Sequence, residues 1–331
     1  MAAVAKEVAQ RNVYLPSQNI HTVYFGGGTP SMLSVEQIGR ILGELRKNYV
    51  FDADAEITTE ANPSDINEEK LRGWKELGIN RLSIGIQSFQ NAQLKQIGRR
   101  HNAEQARQAV RMARDAGFEN ISIDLMYGLP GETLEEWKED VEEALKLDVE
   151  HVSAYCLSYE EGTPLTRALM RKEIEEVDEE TENAMYDYLC ARLKDAGFAH
   201  YEVSNFALPG FASKHNSRYW DGTPYIGVGA GAHSYIGNIR SWNPDDLDAY
   251  LRGIQDGNLV RESETLTDQD VYNERIMLGL RTCQGVPRKA IQTDFSAYIT
   301  KGLLRETNEG NIVATQSGIH ILNRIIEDLM I

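Results

Sequence analysis

The chain has 331 residues, 41% of them hydrophobic, which is enough for one large domain and a smaller one. Its 34 basic and 51 acidic residues give a formal net charge of -17, which disfavours binding to nucleic acids or anionic membrane surfaces. No apolar run has the length of a membrane span, and the three scattered cysteines suggest neither a disulfide framework nor a metal site, so we expect a cytoplasmic protein.

Short apolar runs alternate with helical patterns through the first half of the chain. The end of a helix is predicted at 2–11. Strands are predicted at 21–25, 55–59, 81–86, 120–125 and 151–157. Helices between them are predicted at 35–47, 67–77, 90–97, 103–116 and 134–147. Strands joined by crossover helices run parallel, so either a (β/α) barrel or an open doubly wound sheet is predicted.

The pattern changes after the fifth strand. A long helix is predicted at 179–196, and the Gly- and aromatic-rich stretch 209–235 is predicted to be a loop. From Asp268 a small helical unit precedes strands at 303–306 and 311–314 and a helix at 318–329, an order typical of a winged helix. Seven Lys and Arg against eight Asp and Glu in this segment favour packing or partner docking over DNA binding.

Polar and glycine residues stand at the carboxyl ends of the predicted parallel strands. They are Gly26-Gly27-Gly28-Thr29-Pro30, Glu60, Gln87, Asp124 and Tyr155-Cys156. In a parallel barrel these ends form one face, where active sites are built. Glycines allow a ligand close to the backbone, carboxylates accept from an ammonium or ribose hydroxyls, and Arg99 suits a ligand carboxylate. The alternatives are a tight turn for the glycines, helix capping for the carboxylates, and an exposed helix-end Arg99.

The same residues carry a family resemblance. The sequence resembles the radical S-adenosylmethionine (SAM) family that contains coproporphyrinogen III oxidase HemN and the heme chaperone HemW. The resemblance lies in six runs: VYFGGGTP (23–30), TEANP (59–63), GIQSF (85–89), GRRH (98–101), DLMYGLPG (124–131) and LRT (280–282). The resemblance implies a partial (β/α)6 barrel without its first strand and a small winged-helix-like α+β domain. It divides the chain into 1–165, the barrel; 166–262, a HemW-type linker and helical segment; and 263–331, the C-terminal domain.

The resemblance also implies the cofactor site. SAM contacts fall on Gly27, Gly28, Thr29, Glu60, Gln87, Arg99 and Asp124. In this family a [4Fe–4S] cluster, supplied with electrons by a donor, reduces and cleaves SAM, while the protein supplies placement and electrostatics.

Within the family the chain looks most like HemW. His215-Asn216-Ser217-Arg218-Tyr219 resembles the His-Asn-x-x-Tyr heme-binding element of that group. The heme-binding candidates are therefore His215, Asn216 and Tyr219, with Trp220 as a packing surface and His233 as a weaker second histidine. The alternative for His215 is a surface histidine satisfied by hydrogen bonds.

The cysteines that hold the family's cluster are not present in this sequence. No cysteine precedes Cys156, and we expect Cys156, Cys190 and Cys283 to pack as small apolar side chains. Two explanations stay open: Met1 is an internal methionine of a longer reading frame, or the chain is a cluster-free paralogue. The function predicted first is a heme chaperone that transfers heme to an acceptor protein. The alternatives are oxygen-independent coproporphyrinogen III oxidation and an inactive fragment.

Overall fold

The structure is a computed structural model that describes residues 1–11 and 18–331. Close contacts divide the chain into two units. Unit 1 comprises Met1–Val23, Leu33–Glu56 and Ser213–Ile331, and unit 2 comprises Tyr24–Met32 and Ile57–Ala212. The domain boundaries at 165 and 262 stay predictions.

A seven-stranded sheet accounts for the first strands of the chain. Its members are β1 (Asn19–Phe25), β2 (Val50–Ala61), β3 (Arg81–Gln87), β4 (Ile121–Tyr127), β5 (His151–Cys156), β6 (Ala199–Glu202) and β7 (Asn205–Ala207). Their order is β1-β2-β3-β4-β5-β7-β6. The pairs β2–β3, β3–β4 and β4–β5 are parallel, and β7 is antiparallel to both β5 and β6. The parallel, crossover-connected sheet is confirmed, and the antiparallel β6–β7 pair was not predicted.

Helices connect and flank these strands. They are α1 (Ala2–Gln10), α2 (Val35–Asn48), α3 (Glu68–Glu76), α4 (Asn91–Gln96), α5 (Ala103–Asp115), α6 (Leu134–Lys146), α7 (Pro164–Met170) and α8 (Glu179–Asp195). Side-chain caps fix several of their starts, as Ser34, Asn102 and Thr133 each accept from the backbone three residues on. In unit 2 the indole of fully buried Trp137 on α6 donates to the Met185 carbonyl of α8 at 2.9 Å.

The rest of unit 1 contains two small sheets and six helices. The elements are α9 (Lys214–Asp221), β8 (His233–Ile236), β9 (Ile239–Trp242), α10 (Leu247–Asp256), β10 (Glu262–Thr265), α11 (Asp268–Gly279), β11 (Val286–Pro287), α12 (Ser296–Thr300), β12 (Leu304–Glu306), β13 (Asn311–Ala314), α13 (Gln316–Ile319) and α14 (Leu322–Leu329). The sheet orders are β10-β9-β8 and β11-β13-β12. Their antiparallel pairing gives the predicted wing of β12 and β13.

Two expectations about unit 1 are wrong. The stretch 209–235 is not a loop throughout, because it contains the helix α9, capped by Ser213 at its start and by left-handed Gly222 at its end. The last helix, predicted at 318–329, is two helices, because α13 ends at Ile319 and α14 begins at Leu322.

Candidate functional site

The glycine loop after β1 is shaped for close approach. Gly27 and Gly28 both have φ of +74°, a left-handed conformation that favours glycine, and a Cβ at either would meet open space. A Cβ on Gly26 would instead lie 2.9 Å from Oε1 of Glu60. Thr29 is exposed at the end of the loop. The backbone of Gly27 and Gly28 is therefore open to solvent, next to the carboxylate of Glu60.

Glu60 lies beneath this loop at the end of β2. Its Oε1 accepts from the Tyr24 hydroxyl at 2.8 Å. Burial raises the pKa of Glu60, while the hydrogen bonds from Tyr24 and from the Gly27 backbone oppose that rise. The structure thus joins Gly27 and Glu60, as predicted, and Glu60 does not cap a helix. Tyr24 was not predicted as a site residue, although it lies two residues before the glycine loop, within a run that resembles the family.

Asp124 on β4 is the second carboxyl of this group. The Ser83 hydroxyl lies 3.1 Å from Oδ1 and 3.3 Å from Oδ2. Burial raises the pKa of Asp124, and hydrogen bonds from Ser83 and Ser153 together with the nearby Arg81 and Arg99 oppose that rise. The sequence did not predict Ser83 and Ser153 as partners, although both are buried serines within otherwise apolar strands.

Arg99 and Gln87 lie together over Gly85. Arg99 donates from Nη2 to the Gly85 carbonyl at 2.9 Å, and a Cβ on Gly85 would meet both side chains at about 3 Å. Arg99 is half-buried rather than an exposed helix-end residue, and its Nε is buried without a hydrogen-bond partner. Gln87 has φ of +72°, a strained conformation for a residue with a Cβ, at a register shift between β3 and β4. Such strain is typical of ligand sites.

The residues of unit 2 fit the methionyl part of SAM. Glu60 can accept from an ammonium, Arg99 has a buried N–H without a hydrogen-bond partner, and the backbone of Gly27 and Gly28 is open. The charge of Asp124 acts on both Glu60 and Arg99. The cysteines do not fit a [4Fe–4S] cluster. Cys156 and Cys283 are exposed, contrary to the packing expected, and Cys190 lies on α8. In the described ranges 1–11 and 18–331, no three His, Cys, Asp or Glu side chains form a metal-binding group.

The second predicted set lies in unit 1, on α9. The ring of His215 is held on both sides: Nδ1 lies 2.9 Å from Thr22 Oγ1 on β1, and Nε2 lies 2.9 Å from the Tyr219 hydroxyl. The His215 and Tyr219 rings meet edge to face at 5.2 Å, and Tyr219 meets Tyr225 in the same way at 4.9 Å. Asn216 donates from its backbone to Ser213 Oγ at 3.1 Å. The sequence predicted His215 and Tyr219 as neighbours, but it did not predict Thr22.

Buried Glu56 on β2 fixes the start of α9. Its carboxylate accepts from the backbone of Lys214 at 3.0 Å and of His215 at 2.9 Å, and from Ser213 Oγ at 3.3 Å. An anion at a helix N-terminus satisfies free N–H groups and the helix dipole. The weaker candidate His233 lies apart from these contacts on β8, where its ring stacks with Trp242 at 5.7 Å.

Comparison with known proteins decides the family. Residues 4–144 match the Radical SAM superfamily. The chain is 40% identical over 284 residues to the "Heme chaperone HemW" of Lactococcus lactis, covering 86% of this chain and 75% of that protein. It is 35% identical to the protein of the same name from Mycobacterium tuberculosis, covering all of this chain and 86% of that one. The chain belongs to the HemW family of radical-SAM proteins.

A solved HemN structure has the same fold. The coproporphyrinogen III oxidase of Escherichia coli, described as a radical SAM enzyme, superposes with a TM-score of 0.81 at 24% identity, covering 99% of this chain and 82% of that one. This likeness confirms the radical-SAM fold class. The HemW family belongs to a superfamily that uses SAM and a [4Fe–4S] cluster. Among the described residues, no helix has both the length and the apolar character needed to cross a membrane.

Proposed function

We propose that this chain is a cytoplasmic heme chaperone, which binds heme at α9 through His215 and delivers it to an acceptor protein. The observation that carries the proposal is the 40% identity to a protein named heme chaperone HemW, joined to a histidine on a helix with an exposed aromatic neighbour. Imidazole is a competent axial ligand of heme iron, and the rings of Tyr219 and Tyr225 offer faces to a porphyrin.

The same helix carries cations suited to the heme propionates. Lys214 and Arg218 are one helical turn apart. Lys214 directly precedes His215, and Arg218 directly precedes Tyr219. Lys214 pairs with Asp54 at 2.5 Å and Arg218 with Asp221 at 3.5 Å, both at exposed positions. Exposed pairs of this kind exchange partners at little cost. A propionate can therefore replace either aspartate while the porphyrin lies beside His215.

Hemin titration tests this proposal. His215→Ala is expected to weaken hemin binding about 10-fold or more and to shift the Soret band, because an axial nitrogen ligand is lost. His320→Ala, a histidine substitution in the C-terminal part of the chain, is the matched control and is expected to bind like wild type. Equal binding by wild type and His215→Ala contradicts the proposal. His233→Ala measures the weaker candidate in the same assay.

We further propose that SAM binds in unit 2 to Gly27, Gly28, Thr29, Glu60, Gln87, Arg99 and Asp124. Glu60 accepts from the ammonium of the methionyl group, Arg99 donates to its carboxylate, and the glycine backbone lies against it. When bound and reduced, SAM supplies radical chemistry in this superfamily.

Equilibrium dialysis with labelled SAM tests this second site. Arg99→Gln is expected to weaken SAM binding about 10-fold or more, because a half-buried bidentate donor is lost. Arg100→Gln is the matched control: Arg100 is exposed and pairs with Asp65 at 3.1 Å, so little change is expected. Equal losses in the two variants contradict the proposed site. The likeness to HemN is one of fold, and we do not propose coproporphyrinogen oxidation for this chain.

A further inference from the structure

The two hydrogen bonds of the His215 ring have a direction. A neutral imidazole has one N–H donor and one bare nitrogen acceptor, and the partner of one nitrogen determines the role of the other. Thr22 Oγ1 and the Tyr219 hydroxyl lie at equal distances of 2.9 Å from Nδ1 and Nε2. A phenol, with a pKa of about 10, is a better donor than an aliphatic hydroxyl, which is the better acceptor. The favoured arrangement is therefore Nδ1–H donating to Thr22 and Tyr219 O–H donating to Nε2.

In this arrangement the lone pair that would bind heme iron lies on Nε2, and the Tyr219 hydroxyl covers it. We propose that Thr22 is a positioning residue that holds His215 as the Nδ1–H tautomer, and that the Tyr219 hydroxyl masks Nε2 until heme iron displaces it. This inference rests on the proposed heme-binding function. On binding, the Tyr219 O–H···Nε2 bond breaks, a coordinate bond from Nε2 to iron forms, and no proton or electron is transferred.

The geometry around the ring supports a positioning role for Thr22. Metal-ligating histidines donate their second ring N–H to a fixed partner, which sets both tautomer and ring orientation. Thr22 lies on β1, and Glu56 on β2 holds the backbone N–H of His215. The ring is thus held at Nδ1 by a residue of β1 and the His215 backbone by a residue of β2, whereas the group that covers Nε2 comes from a side chain that is 44% exposed on the next turn of α9. The fixed contact is on Nδ1 and the displaceable one is on Nε2.

Nitrogen NMR of the heme-free protein tests the tautomer. In protein labelled with 15N-histidine, the couplings of each ring nitrogen to the ring protons distinguish Nδ1 from Nε2, and the 15N shift tells which is protonated. The His215 signals are assigned by their absence in His215→Gln. Wild type and Thr22→Ser are expected to show Nδ1–H, and Thr22→Val is expected to lose it. An Nε2–H tautomer in wild type overturns the proposal.

Hemin titration tests the consequence for binding, with effects of opposite sign. Thr22→Val is expected to weaken hemin binding about 10-fold or more, as loss of a partner to a metal ligand does, and Thr22→Ser to restore most of it. Tyr219→Phe is expected to tighten binding about 3- to 10-fold, since one competing hydrogen bond is removed. Weaker or unchanged binding by Tyr219→Phe overturns the proposal, and this variant leaves β1 unaltered if Thr22→Val folds poorly.

The His215→Ala titration separates this inference from the proposed function. If His215→Ala binds hemin like wild type, the proposed function fails. If His215→Ala loses binding while Thr22→Val and Tyr219→Phe both match wild type, only the roles of Thr22 and Tyr219 are wrong. If His215→Ala and Thr22→Val bind hemin more weakly and Tyr219→Phe binds it more tightly, the result supports both the proposed function and the roles of Thr22 and Tyr219.

Discussion

Neighbouring hydroxyl groups favour the charged forms of the carboxyls in the proposed SAM site. Burial raises the pKa of both Glu60 and Asp124, which favours their neutral forms. The Tyr24 hydroxyl opposes this for Glu60, and Ser83 and Ser153 oppose it for Asp124. Each hydroxyl donates to the ionised oxygen and stabilises it. The binding of an ammonium group at this site therefore depends on residues that need not touch the ligand.

Tyr24→Phe is expected to make SAM binding more sensitive to acid. The substitution removes the donor to Glu60 Oε1, so the pKa of Glu60, already raised by burial, rises further. SAM affinity should fall as pH decreases through that pKa, and the midpoint of the fall should lie at higher pH in the variant. Dialysis over a pH series measures it, with Tyr298→Phe as the control. Coincident profiles for wild type and Tyr24→Phe would show that Tyr24 does not act on Glu60.

Glu132 makes folding stability depend on pH. It is buried before α6, its Oε2 accepts from the Leu129 backbone at 3.0 Å, and burial raises its pKa from 4.5 to about 8. The folded state keeps a proton that the unfolded chain releases, so the free energy of unfolding falls as pH rises between those values. Asp140, whose pKa burial raises to about 6, adds to the slope at lower pH.

Glu132→Gln is expected to flatten this slope. The melting temperature of wild type should fall from pH 6 to pH 8, and that of the variant should fall less, since the titrating group is gone. Thermal unfolding by circular dichroism at several pH values measures the difference. Glu135→Gln, at an exposed position of α6, serves as the control. If the melting temperatures of the variant and of wild type change equally with pH, Glu132 is not the source of the pH dependence.

At the scale of elements, one face of β2 holds the helix that carries His215. Asp52, Asp54 and Glu56 alternate along the strand and so share a face. Asp52 pairs with His21, Asp54 with the side chain of Lys214, and Glu56 with the start of α9. Only Glu56 is buried. The three acidic residues should therefore differ in their contribution to stability although they look alike in sequence.

Glu56→Ala is expected to lower the free energy of unfolding by about 2 kcal/mol or more, because the N–H groups at the start of α9 lose a buried carboxylate acceptor. Asp54→Ala, two residues away, is expected to change it by less than about 0.5 kcal/mol, because its ion pair with Lys214 is exposed. Urea unfolding of both variants measures the contrast. Similar losses would mean that α9 is not held by Glu56.

The helix α9 shows what could and could not be predicted from the sequence. The strands of the parallel sheet were predicted within two residues, except that β2 begins five residues before its predicted start, because apolar runs bounded by turn residues are a strong signal. The sequence around His215 has no apolar stripe that would predict a helix, and α9 has no buried residue. The helix is fixed instead by its caps, Ser213 and Gly222, and by the distant Glu56. The site residues of unit 2 were predicted as a group, whereas their hydroxyl partners depend on strand pairing that the sequence does not reveal.

At the scale of the molecule, buried Glu7 joins α1 to four later residues of unit 1. Its carboxylate accepts from Asn243 at 2.8 Å, Tyr250 at 2.9 Å and Arg261 at 3.2 Å, and from the Gly229 backbone at 3.0 Å. Arg11, one turn along α1, lies 3.6 Å away. A buried charge with this many donors is stable only while all of them are present.

Glu7→Gln is expected to lower the free energy of unfolding by about 3 kcal/mol or more, because the arginines lose their counter-charge while the pocket stays buried. Lys6→Gln is the control, since Lys6 is exposed and makes one bond, to the Gln255 carbonyl at 3.1 Å. That variant should change stability by less than about 0.5 kcal/mol. Chemical denaturation measures both, and equal small effects would show that the Glu7 contacts carry no net stability.

The position of Glu7 in the chain also has a consequence for synthesis. Its partner Arg261 lies 254 residues further on, and the chain of unit 2 is completed between them. A protein emerges from the ribosome from its N-terminus, so the Glu7 carboxylate lacks its donors until Gly229, Asn243, Tyr250 and Arg261 have been synthesised. Contacts of such long sequence separation form late and slowly. The contacts of Glu7 are therefore completed only after the chain has been translated through Arg261.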